Sequence, residues 1–200
     1  MPIFVLWLAA ILLAATSIGS LLSRDWRWTL GFLAGQYFSA FWLTLPHWSL
    51  TMAAASLVTG WMAVAVLAMT QLDVKSEPAS EASWPDGTLF RAFAAGLVLI
   101  TVTSAAQPVN LWLPEASLPL VWGGLTLIGM GLLQLGLTVH PFRVTIGLLV
   151  TLAGFEILYA PLENAILVTG LLAIIHLGLA LTGSYLFSLN VSRPAESPAE

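Results

Sequence analysis

A chain of 200 residues that is 58% hydrophobic and only 8% charged, with a mean hydropathy of +0.93, has too few charges to cover a soluble domain and belongs in a bilayer. The formal charge of −4 comes mostly from the 73–86 stretch and the C-terminal tail, the six Lys and Arg are scattered, and there is no cysteine. Nucleic-acid binding, disulfides and thiolate chemistry are thereby excluded, and apolar stretches of about 20 residues point to helices crossing roughly 30 Å of hydrocarbon, not to barrel strands.

Residues 2–22 form the first predicted helix. The basic residues Arg24 and Arg27 follow this stretch instead of preceding it, so it is expected to be a retained helix and not a secretory leader. A second helix over 28–45 turns at Pro46 and His47 into a third over 48–70. The polar, Pro/Ser-rich interval 71–88 is expected to be a solvated loop. The fourth helix spans 89–107 and ends at Pro108, VNLWLPEASLP makes a turn-rich connector, and a fifth helix runs from about 118 to 138. Pro141 opens the sixth in its first turn, where a missing N–H costs little; the sixth ends near Ala160, before Pro161, and the seventh spans about 165–189.

The expected fold class is therefore all-α, a polytopic bundle of seven transmembrane helices in one domain (1–190) with a polar tail (191–200). An odd count places the termini on opposite sides. With the N-terminus outside and the C-terminus in the cytoplasm, Arg24, Arg27, Lys75, Arg91, Arg143 and Arg193 all fall on the inner side, as the positive-inside rule requires of a multi-pass protein of the cytoplasmic membrane. Trp26 and Trp28 then sit at the inner interface, and Trp42, Trp48, Trp112 and Trp122 at the outer one. Glycines recur at i+7 as Gly124 with Gly131, Gly129 with Gly136, and Gly147 with Gly154; they are either helix-contact faces or the ordinary glycine of membrane helices.

Charge is kept out of the apolar runs except in GFEILYAPLENAIL (154–167). Glu156 falls roughly 20 Å along the sixth helix at 1.5 Å per residue, a position that costs a carboxylate about 3 kcal/mol, so it is expected to face protein or water. There it either takes up and releases protons or acts as helix glue. Glu163 lies beyond Pro161, in the first turn of the seventh helix, where it caps the positive dipole end or forms the outer mouth of a proton path. His176 stands near the midplane of the seventh helix, as a relay or as a buried neutral imidazole bonded to a carbonyl. Gln36 and Gln134 are amides suited to bridging helices. His47 and His140 fall at opposite ends, leaving no midplane partner for a bis-His haem, and no metal-ligand cluster, P-loop, dinucleotide fingerprint or Ser-His-Asp set appears. No cofactor or catalytic site is expected.

The basic turn followed by LGFLAGQ (30–36), AAQPVNLWLP (105–114), GFEILYA (154–160) and APLE (160–163) together resemble the component E subunit of hydrogenase-4-type membrane complexes. That family is similar in its C-terminal helices to the K subunit of NADH:quinone oxidoreductase (complex I) and to the C subunit of multisubunit cation/proton antiporters. The resemblance implies a non-catalytic subunit beside antiporter-like membrane subunits in a redox-driven ion-translocating assembly. It also implies that Glu156 matches the glutamate of a Gly-x-Glu pattern in the proton path. The chain departs from that pattern at Tyr159-Ala160-Pro161, where Asn-Ala-x-Asn is usual, and His176 is the titratable group nearest to where a second acidic residue is usual. Two other readings stand beside this one, a purely structural membrane scaffold and a small independent transporter; the second finds few polar residues for a path and no inverted repeat.

Overall fold

The computed structural model describes residues 2–23, 25–73, 87–162 and 165–192, and every regular element among them is an α-helix. In chain order these are α1 (Ile3–Leu22), α2 (Trp26–Thr44), α3 (Leu50–Asp73), α4 (Thr88–Trp112), α5 (Leu118–Leu137), α6 (Pro141–Tyr159) and α7 (Ile166–Ser192). All but α2 are long and apolar enough to cross a membrane. The six fit a lipid bilayer, whose core leaves a backbone no hydrogen-bond partners except its own.

Local chemistry sets the helix ends, and it corrects two of the expected boundaries. α2 begins at Trp26, earlier than the apolar pattern suggests, because the Asp25 side chain accepts the Arg27 N–H at 3.0 Å and so caps the first turn. α4 does not stop before Pro108 but continues through it to Trp112. Pro108 removes one N–H and leaves the Ser104 carbonyl without its i+4 donor, yet the helix continues one further turn, since a single lost bond near a helix end is tolerated where irregular backbone has no solvent. At α6 the expectation and the structure agree: Pro141 occupies the first turn and the helix closes at Tyr159, with the Ala160 N–H bonded to the Glu156 carbonyl at 3.0 Å.

The helices pack in two layers that follow chain order. One layer is α1, α2, α3; the other is α4, α5, α6, α7; between them α1 lies against α4 and α5, α2 against α5 and α6, and α3 against α7. The tightest pair is α5 with α6, and glycine makes it so. A Cβ on Gly154 would come 2.7 Å from the Gly124 carbonyl, and one on Gly131 would come 2.8 Å from that of Gly147. These backbones therefore touch directly. Gly129 instead faces Val98 of α4, and Gly136 faces open space, so of the six glycines four mark the α5–α6 contact and a fifth marks the α4–α5 contact.

Two buried amides cross between helices. Gln36 of α2 donates to the Ser17 hydroxyl of α1 at 3.2 Å, and Ser17 passes its own hydrogen to the Leu13 carbonyl at 2.8 Å. Gln134 of α5 donates to the Arg143 carbonyl of α6 at 3.3 Å. Arg143, in the first turn of α6, is buried within the bundle, and its guanidinium donates at 3.0 Å to the Ser23 carbonyl just past the end of α1. It closes a helix terminus 120 residues away in the chain. Trp48, expected in the outer aromatic belt, also turns inward. It forms a small apolar cluster with Met52, Ala53 and Ala160, lined by Phe41 and Leu45.

Candidate functional site

The sequence separates Glu156 and His176 by a turn and the first three turns of α7, and the packing of α6 on α7 brings them together. Glu156 on α6 and His176 on α7 are 5% and 2% exposed, with Oε2 of the carboxyl 3.8 Å from Nε2 of the imidazole. His176 Nδ1 lies 2.9 Å from the Leu172 carbonyl one turn earlier in α7. A carbonyl only accepts, so Nδ1 carries a hydrogen and Nε2 is left to face the carboxyl as the basic nitrogen. At 3.8 Å the two groups are beyond hydrogen-bond distance and the buried Nε2 has no hydrogen-bond partner among the described residues, so they are neighbours that attract one another when oppositely charged.

The facing layer completes the surroundings. The Ser56 hydroxyl of α3 faces the Glu156 carboxyl from the other layer as a potential donor. Tyr37 of α2 sets its ring edge-on to the imidazole, with centroids 5.7 Å apart and planes at 67°. The phenol ring rests on Gly60 of α3, where any side chain would collide with it. Neither Tyr37 nor Ser56 is apparent as a site residue in the sequence. The available signal was the pair Ser56 and Gly60, four residues apart on one face of α3, leaving room for the ring of another helix.

The polar group is capped unequally at its two ends. Met52 and Ala53 stand one turn from Ser56, Ala160 one turn from Glu156, and Phe41 one turn from Tyr37; all belong to the Trp48 cluster at the α2–α3 turn. Toward the opposite end lie Leu33, Ala63, Leu67, Ile146, Leu149 and Ala180, all within the main apolar core. From Glu156 back to Pro141 that is roughly 22 Å of helix at 1.5 Å per residue.

Gln36 and Gln134 stand apart from this site, in the α1–α2 and α5–α6 contacts. Glu163 lies outside the described residues. His47, in the turn beside the Trp48 cluster, has its imidazole held below the ordinary value of 6.5 by burial, against the opposing pull of Glu115 from the α4–α5 connector. Among the described residues no three His, Asp or Glu side chains gather as a metal site.

Fold and site together define a class, an all-helical bundle suited to the membrane that holds a carboxyl–imidazole pair between its two layers. Compared with family models, curated proteins and solved structures, the chain matches none.

Proposed function

We propose that the chain is a seven-span, non-catalytic subunit of a redox-driven ion-translocating complex of the complex I or hydrogenase-4 kind, and that the Glu156–His176 pair is its proton-handling element. The observation that carries this is the burial of a carboxyl and an imidazole 3.8 Å apart, with the tautomer of the imidazole fixed by the Leu172 carbonyl. Such a pair keeps an expensive ionisable group in hydrocarbon and gives its proton two places to sit. Exchange runs through the α2–α3 turn, where a single turn of apolar side chains intervenes, and the longer apolar core prevents leakage toward the other end.

Seven spans are supported by the length and surroundings of α2. Its 19 residues extend about 28 Å at 1.5 Å per residue, and its polar side chains Thr29, Gln36, Ser39 and Thr44 are buried against other helices and so do not face lipid. An odd span count, with the N-terminus outside and the C-terminus in the cytoplasm of a cell's inner membrane, puts all six basic residues on one side. The partnership with antiporter-like subunits rests on the resemblance of 30–36, 105–114 and 154–163 to the component E family.

Glu156→Gln keeps the size and most of the hydrogen bonding and removes titration. In native membranes the variant is expected to co-purify with the same partner polypeptides as the wild type while proton translocation falls by about 10-fold or more, the effect of removing a positioned proton-transfer group. Wild-type coupling in an intact assembly would make the pair a structural pin. Purification of the wild-type chain without partners would remove the subunit reading.

A further inference from the structure

Tyr37 is 3% exposed, and its hydroxyl has no hydrogen-bond partner. Packing accounts for the ring, which is seated on Gly60 and set edge-on against His176, but a phenylalanine would fill that space as well. Packing does not account for the hydroxyl, since a buried donor is retained at a cost unless it is used. Tyr37 and Glu156 both adjoin the same imidazole, the phenol ring 5.7 Å from the centroid of His176 and the carboxyl 3.8 Å from its Nε2.

We propose that Tyr37 is a positioning residue for the Glu156–His176 pair, whose phenol donates a hydrogen bond to the Glu156 carboxylate when the shared proton leaves. The only covalent bond that breaks is the O–H or N–H bond to the departing proton, and the phenol keeps its own proton. The departing proton goes to water or a partner subunit, and the bare carboxylate gains one donor to stand beside Ser56. The inference rests on the proton-handling reading. Among the described residues, Tyr37 of α2 meets His176 and Ser56 of α3 faces Glu156, while α6 and α7 supply Glu156 and His176 themselves. Arg143 lies about 20 Å away along α6 at 1.5 Å per residue.

The chain has three histidines, so the full-length protein labelled with ¹⁵N-histidine in lipid nanodiscs gives few imidazole signals, and His176→Gln assigns the relevant one. Its signal is followed against pH in the wild type, Tyr37→Phe and Glu156→Gln. Loss of the phenolic donor should move the His176 transition in Tyr37→Phe toward alkaline pH by about one unit, a tenfold tighter hold on the proton. Incorporation of 3-fluorotyrosine at position 37, which keeps the shape and strengthens the donor, should move it the other way, and this decides the matter if Tyr37→Phe does not fold. Transitions unchanged from wild type in both would overturn the role of Tyr37 and leave the pair intact. A His176 signal that responds neither to pH nor to Glu156→Gln would overturn the pair and the inference together.

Discussion

At the scale of single residues, the ionisable groups divide by what surrounds them. His47 sits in the α2–α3 turn, where burial favours its neutral form. A histidine whose folded value lies below its unfolded one contributes stability above the unfolded value and loses it as pH falls through the folded value. The bundle should therefore melt at lower temperature as pH drops below about 6.5, and His47→Gln should flatten that dependence; a thermal unfolding series from about pH 7.5 to 5 checks it. Glu156 and His176 were visible in the sequence because ionisable groups in an apolar run have few explanations. Tyr37 was not, since an aromatic in a membrane helix is ordinary and its value lies in an unpartnered hydroxyl that only the tertiary arrangement shows. The partner of Arg143 was hidden for a related reason, since the carbonyl at the end of α1 that it bonds lies 120 residues away in the chain.

At the scale of helices, length and apolarity located all seven elements, and the errors fell at the ends. Asp25 started α2 early by capping it, and Pro108 failed to stop α4. The layer order was beyond reach, because a soluble helix shows its inward face by amphipathicity whereas lipid and protein interior are both apolar. Glycine spacing was the partial exception, and it yields a sharp expectation at the α5–α6 contact. Gly154→Ala places a Cβ 2.7 Å from the Gly124 carbonyl and 2.8 Å from the Ile128 nitrogen, and backbone on both sides has no rotamer to give. We expect destabilisation by about 1–3 kcal/mol, the usual range for overpacking, while Gly136→Ala, facing open space, should be neutral or stabilising. Detergent-resistance or steric-trapping measurements on the two variants compare them directly.

At the scale of the molecule, two ordered layers leave one polar group at the junction of α2, α3, α6 and α7, with one turn of cover toward the α2–α3 turn and several toward the other end. On the proposed reading, that asymmetry and the fixed imidazole tautomer suit the bundle to hold one exchangeable proton. The most direct test is the pH-difference infrared spectrum of the protein in nanodiscs, wild type against Glu156→Gln. The account predicts a protonated-carboxyl stretch that varies with pH over the range in which the wild-type protein stays folded, and that is missing from Glu156→Gln. Superimposable spectra from the two proteins across that range would contradict it.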